Sequence, residues 1–259
     1  MLKGLYTAWT GMVNEQNRMD VLTNNLANTA TTGFKKEGTT SQSFSDVLTD
    51  RIKDTSTAGT GRRRIGTNAP GVKVGENYVD YSQGAFRSTG NTFDLALSGD
   101  GFFAIEFTNK AGETSTKYTR NGQFTLNAEG YLLTTEGDYV LDNQSRRIRL
   151  DPLQDATIDR NGRIFQGENP VATVGVVDFS DYDYLERYGE TYFRPIEGAS
   201  FTTANAEVYS GYLEQSNVQT VQEMVNLISI SRAYETNQKI LQTFDKTLDV
   251  AVNQIGRLS

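Results

Sequence analysis

The 259-residue sequence predicts an α+β protein. Paired, coiled-coil-like long helices at the N- and C-terminal ends flank an all-β domain, an antiparallel sandwich or distorted barrel. Three features point there. Apolar residues near the carboxy end recur every three or four positions, and a weaker series of the same kind opens the chain. Between them, from about Gly71 to Gly211, short β-prone runs alternate with glycine turns. These changes of pattern place a discontinuous helical domain at 1–34 and 213–259, an extended connector at 35–74 and a β-domain at 75–212.

At the amino end Leu5, Trp9, Met12, Gln16, Met19, Thr23 and Leu26 step alternately by four and three. That spacing gathers side chains on one narrow seam of a helix. Gln16 and Thr23 are polar and weaken it. Asn24, Asn25, Asn28, Thr29, Thr31 and Thr32 follow, residues that favour caps and turns, and Gly33 suits the left-handed position just past a helix end.

The next stretch is polar, with Lys35, Lys36 and Glu37 early and Phe44, Val47 and Leu48 as isolated anchors. From Thr49 to Gly71 there is almost nothing apolar, so this segment cannot bury a core and reads as an extended connector or loop. Arg62, Arg63 and Arg64 concentrate its charge. A nucleic-acid or lipid contact is one reading of them; a solvated loop, or pairing with an acidic neighbouring subunit, is the other. The run GTGRRRIG lacks both the Gly-Lys-Ser/Thr of a phosphate loop and the third glycine of a dinucleotide turn.

The period then changes to two. Leu95 and Leu97 lead through Gly99-Asp100-Gly101 to Phe102, Phe103 and Ile105. Asn121-Gly122, Glu129-Gly130, Glu136-Gly137 and Asn161-Gly162 separate further short runs, the mark of successive hairpins. Tyr182, Tyr184, Tyr188, Tyr192 and Phe193 are either a sugar-binding platform or aromatic packing over the end of a sheet.

The strongest periodicity lies at 226–259. Leu227, Ile230, Tyr234, Leu241, Phe244, Leu248, Ala251, Ile255 and Leu258 alternate by three and four, and only Asn237 interrupts. Such a helix runs roughly 50 Å at about 1.5 Å per residue. A seam of that length needs cover, so the two termini are expected to pair with each other and with neighbouring copies. The self-assembly seam is therefore Leu5, Trp9, Met12, Met19 and Leu26 with Leu227, Ile230, Tyr234, Leu241, Phe244, Leu248, Ile255 and Leu258.

Composition narrows the chemistry. The net charge of -7 and pI near 4.8 disfavour nucleic-acid binding. Hydrophobic content is 37% and mean hydropathy -0.51, so a thin core is expected. No window approaches the ~20 apolar residues of a membrane span, and the first residues offer no secretory signal core. The absence of cysteine and histidine removes thiolates, disulfides, imidazole ligands and the commonest general base. Asp94, Asp100, Asp138, Asp142, Asp151, Asp155 and Asp159 are plentiful, but most sit in turns, where Asp bonds to its own backbone. No calcium-loop spacing occurs. No cofactor, metal or catalytic set is expected, although a carboxylate hydrolase and a secreted carbohydrate-binding or adhesive module remain rival readings.

Longer stretches carry a resemblance. MDVLTNNLANTATTGFKK, from Met19 to Lys36, resembles the amino-terminal signature of bacterial flagellar rod and hook proteins. LEQSNVQTVQEMVNLISISRAYETNQKIL, from Leu213 to Leu241, is similar to their carboxy-terminal signature, and LSGDGFFAIE and YTRNGQFTLNAEGYLL resemble segments of their β-domain. Asn24, Asn25, Leu26, Ala27, Asn28, Gly33 and Phe34 belong to the first signature, and Ser216, Asn217, Val218, Arg232, Ala233 and Tyr234 to the second. The resemblance implies a structural subunit exported unfolded through the flagellar type III apparatus without a cleaved signal, located at the basal body in the cell envelope. It implies helical polymerisation into a hollow shaft, with further copies and other rod and hook proteins as partners. The terminal helices would line the channel, and the extended segment would bridge subunits.

Overall fold

The computed structural model describes residues 2–51, 63–110 and 112–255. Arg62 and Leu258, together with the side chains of Arg63, Arg64 and Ile255, lie outside the described residues. The chain divides into two compact units, one of Met1–Leu26, Glu37–Asp80 and Thr220–Ser259, the other of Ala27–Lys36 and Tyr81–Gln219.

In the helical unit, α1 spans Leu2–Ala27 and α2 spans Thr220–Val250, which continues into a π-helical turn at Ala251–Ile255. A Cβ on Gly4 would meet the Phe244 ring at 2.7 Å, and one on Gly11 would meet the Asn237 amide at 3.1 Å. Seven residues forward on α1 thus correspond to seven back on α2, so the helices run antiparallel. Gly4 and Gly11 sit one position ahead of Leu5 and Met12 in the expected seam. Small residues are needed there because the neighbouring ring and amide occupy the space a side chain would take.

The segment read as an extended connector is a paired ribbon among the described residues. Lys36–Ser43 pairs with Val72–Asp80, and Val47–Arg51 pairs antiparallel with Arg63–Asn68. Lys36–Ser43 is polar throughout and carries no strand signal, while Val72–Asp80, at the edge of the region read as β, alternates only at Val72 and Val74. Side-chain hydrogen bonds fix the ribbon to α1 instead. Thr7 Oγ1 donates to Pro70 O (2.9 Å), and Asn14 exchanges bonds with the Ser41 hydroxyl (3.1 and 3.2 Å). Gly71 passes so close to Thr10 that a Cβ would lie 2.2 Å from its hydroxyl.

The second unit is β-rich, and its spine is Phe102–Thr108. Thr114–Thr119 pairs along one edge, from Phe103↔Thr119 to Thr108↔Thr114. The other edge takes Val176–Phe179 and then Tyr139–Val140. The sheet continues outward through Tyr192–Pro195 to Leu185–Tyr188 on one side, and through Leu132–Thr134 to Phe124–Leu126 on the other. Those outer strands do not pair with each other, so among the described residues the sheet is open. The α+β arrangement of terminal helices flanking β structure holds; the closed form of a distorted barrel does not. A three-stranded sheet (Ala156–Ile158, Arg163–Gln166, Asn169–Thr173) and two strand pairs complete the unit.

Alternation along the spine sends successive side chains to opposite faces. Phe103, fully buried, joins Leu95, Leu97, Phe124, Leu132, Val140, Ile148, Ile164, Val174 and Val208 in the apolar core. Phe102, also fully buried, faces the other way into rings of Tyr81, Phe179, Tyr182 and Phe193, at centroid distances of 5.3–6.0 Å. The tyrosine-rich stretch near 182–193 is thus in part packing against the sheet. Tyr192 donates its hydroxyl to Asp138 Oδ2 (2.8 Å), and burial pushes that hydroxyl's pKa far above the ordinary tyrosine range. The helix ends also differ from expectation. α1 stops at Ala27, six residues before Gly33, and Tyr212–Glu214 is a strand paired with Phe86–Ser88, so helix resumes only at Thr220.

Two outcomes follow from these contacts. Gly4→Leu should drive the Phe244 ring aside and cost about 1–3 kcal/mol in urea unfolding, although leucine is the better helix former; an equal or higher stability would contradict the Gly4–Phe244 approach. Arg147 makes two hydrogen bonds to Glu106 (2.6 and 3.0 Å) and holds that carboxyl below its ordinary 4.5. Stability from this pair is present above pH 4.5 and is lost as pH falls through the lowered pKa, and Glu106→Gln should flatten that part of the acid unfolding profile.

Candidate functional site

Within the β-rich unit, the segment that follows α1 and the segment that precedes α2 meet around a buried charge cluster. Lys35 and Glu214 have side chains 1% and 0% exposed, and Lys35 Nζ donates to Glu214 Oε1 at 2.6 Å. The same ammonium donates to Ser82 O (2.8 Å), while Glu214 Oε1 also accepts from Gly84 N (2.9 Å). Arg120, 3% exposed, brings Nη1 to 3.5 Å from Glu214 Oε2 and places its guanidinium 5.3 Å from the centre of the Phe102 ring. One carboxylate thus serves two buried cations. Such charges are tolerated away from water only when paired and hydrogen-bonded.

Backbone geometry brings these groups together. Gly33 adopts φ +68°, and its N–H donates to Glu214 O (2.9 Å). A Cβ there would stand 2.3 Å from Asn121 N, so glycine is required by the passage beneath the 120–122 turn rather than by a helix end. Thr32 donates its hydroxyl to Asn121 Oδ1 (2.7 Å). At Gly84 a Cβ would lie 1.9 Å from Gln215 O. Phe34 is fully buried beneath Arg187, whose guanidinium is 4.2 Å above the ring and bonds to Glu190 O (2.6 Å) and Lys35 O (3.4 Å). Asn217 accepts from Lys36 N (2.8 Å) and donates to the Ser82 hydroxyl (3.0 Å). Beside Arg120, burial and a hydrogen bond to Asp178 push the Tyr182 hydroxyl well above its ordinary pKa.

The motif residues therefore fall into distinct places. Gly33, Phe34 and Asn217 belong to this joint. Asn28, buried, accepts from the Thr31 hydroxyl (3.1 Å), Val218 is buried, and Ser216 accepts from Val218 N. In the helical unit Asn25 is fully buried and exchanges two bonds with the Glu37 backbone (2.8 and 3.0 Å). Asn24, Ala27 and Arg232 are exposed, and Leu26, Ala233 and Tyr234 half-buried. Lys35, Arg120, Glu214 and Arg187 were not singled out from sequence. Lys35 and Glu214 stood inside the quoted motifs as ordinary charged residues, and nothing local marks them as partners across 179 positions.

Of the expected seam, Ile230 is buried, and Leu5, Met12, Met19, Leu26, Leu227, Tyr234, Leu241, Phe244 and Leu248 are half-buried. Trp9 is 47% exposed. From Glu235 to Asn253 the residues withdrawn from solvent are Asn237, Leu241, Phe244, Leu248 and Ala251, a single alternation of four and three. Asn237 keeps the step although it is polar, because its amide is what Gly11 makes room for.

Comparison with known proteins matches three parts of the chain. Residues 5–35 match the family model described as flagella basal body rod protein. Residues 96–166 match the flagellar hook protein FlgE/F/G D1 domain, and residues 209–255 the flagellar basal body rod FlgEFG protein C-terminal model. The flagellar basal-body rod protein FlgG of Bacillus subtilis is 34% identical, over 98% of this chain and 99% of that protein. FlgF of Caulobacter vibrioides is 32% identical and the hook-basal body complex protein FlhO of Bacillus subtilis 31%, each over the whole of both chains.

The joint gives a direct test. Lys35→Met and Glu214→Gln should each cost about 3–5 kcal/mol in urea unfolding, since each strands a buried partner. The double variant should cost clearly less than the two together; additive losses would show that the groups do not act as a pair.

Proposed function

This chain belongs to the family of flagellar basal-body rod proteins, and we propose that it polymerises helically into the hollow, torque-transmitting shaft of the distal rod. It is a structural rod subunit of FlgG-like sequence. Family names place it at the flagellar basal body, and no helix among the described residues is long and apolar enough to cross a membrane. The observation that supports the polymer is the four-three stripe down α2, which a single α1 half-covers but does not bury. In this reading the antiparallel helices form a coiled-coil-like inner domain, and Leu5, Trp9, Met12, Met19, Leu26, Leu227, Ile230, Tyr234, Leu241, Phe244, Leu248, Ile255 and Leu258 are its assembly surface. The paired ribbon bridges subunits. The partners are further copies, other rod and hook proteins, and the type III apparatus that exports the chain. A shaft needs contacts that do not slip, and it needs no cofactor or reactive group.

A FlgF-like position in the proximal rod is the second reading. The Caulobacter FlgF, 32% identical over its full length, favours it.

Concentrated wild-type protein is expected to form tubes of uniform diameter by electron microscopy. Leu241→Asp should leave the β-rich unit folded and abolish the tubes, because closing the seam would bury an unpaired carboxylate. Tubes formed normally by that variant would remove Leu241 from the assembly surface.

A further inference from the structure

Away from the face that α1 and α2 share, the helical unit leaves two apolar patches uncovered. One lies on the back of α2, where Val221, Met224, Val225 and Ile228 are 77, 47, 56 and 52% exposed. Their spacing of three, four and seven makes one stripe, on the side of the helix opposite Ile230 and Leu241. The other lies on α1, where Tyr6 and Trp9 are each about half exposed, with ring centroids 5.8 Å apart.

The two patches do not meet within one copy. Since Gly4 faces Phe244 and Gly11 faces Asn237, Trp9 is level with Lys239 of α2. Met224 is fifteen residues away along that helix, roughly 22 Å at about 1.5 Å per residue. Uncharged Gln222, Asn226 and Ser229 flank the α2 stripe, which runs into exposed Arg232 one turn beyond Ile228, and exposed Lys3 lies one turn before Tyr6 on α1. Two different patches on one unit specify a head-to-tail contact, which repeats without closing, rather than a two-fold dimer. Each half-exposed ring offers on the order of 100 Å². That is an anchor rather than a whole interface of about 800 Å² a side, and aromatic anchors characteristically mark interface centres.

Resting on the self-assembly proposed above, we infer that Tyr6 and Trp9 of one copy seat against Val221, Met224, Val225 and Ile228 of the next copy. The contact gives the polymer its direction, because each copy offers one patch forward and the other back.

The sequence contains no cysteine, so engineered pairs report the contact without background. The full chain carrying Tyr6→Cys and Gln222→Cys, at a concentration where wild type sediments as polymer, is treated with a short bis-maleimide. A ladder of covalent oligomers is expected on denaturing gels, with each single variant stopping at dimer. Val225→Asp should raise the concentration needed for polymer by about tenfold or more, about 1.4 kcal/mol, with unchanged helicity. Polymer of the double variant without a ladder, or an unchanged threshold for Val225→Asp, overturns this pairing and leaves the patches to a different axial protein. Wild type that never sediments overturns the self-assembly on which the pairing rests.

Discussion

A carboxylate sealed from water governs how the β-rich unit is closed. Glu214 holds Lys35 through its side chain and Gly33 through its backbone, so two pieces of chain far apart in sequence leave the unit side by side. An apolar contact at the same place would tolerate sliding by a residue. A buried ion pair does not, because a shift strands a charge at a cost of several kcal/mol. The glycines at 33 and 84 belong to the same constraint: each lets one backbone approach another closely enough for the hydrogen bonds to form. Arg187 over Phe34 and Arg120 near Phe102 add cation–π contacts beside the pair.

The two units gain stability by different means. In the β-rich unit the spine strand buries side chains on both faces, Phe103 into the aliphatic core and Phe102 into the ring cluster. A sheet covered on both sides carries its own cohesion. The helical unit has few fully buried apolar residues, Ala8 and Ile230 among those described, and its contacts depend on small residues and polar bridges: Gly4 and Gly11 toward α2, Thr7, Thr10 and Asn14 toward the ribbon. A thin core of this kind was already implied by the low hydrophobic content.

What the sequence made legible follows from where the signal is local. The step of three and four at 227–251 is a property of one helix, and the withdrawal of Leu241, Phe244 and Leu248 from solvent repeats it. The glycine turns at 130, 137 and 162 are equally local, since each needs only a left-handed residue between paired short strands, whereas at Gly122 the flanking strands do not pair and a Cβ would stand 1.7 Å from the distant Leu95 O. Lys36–Ser43 gives no strand signal because it is polar throughout, and in Val72–Asp80 the alternation is confined to Val72 and Val74, so the pairing of the two leaves little mark on either one alone. The expectation of a helix end at Gly33 fails for a related reason. Its positive φ is legible, but the Asn121 backbone that requires it lies some ninety residues away. Lys35 and Glu214 are the limiting case, two common charged residues whose meaning exists only in three dimensions.

These differences bear on how a rod subunit divides its tasks. Contacts within the β-rich unit are specific, with Lys35 and Glu214 paired, glycines fitted against backbone and rings filling the space around Phe102, although Arg120 meets Glu214 as an ion pair without a hydrogen bond. Contacts in the helical unit are repetitive and incomplete, a long stripe half-covered, with Trp9 and the back of α2 turned to solvent. A repeating apolar surface on a helix is satisfied best by another helix of the same kind, whichever copy supplies it. Specificity of register would then come from the few positions where the repeat is broken, such as the Asn237 amide against Gly11, since a polar group in a seam tolerates only the alignment that accommodates it. On the proposed assembly, incompleteness in the single chain is the property that would let like chains add to one another.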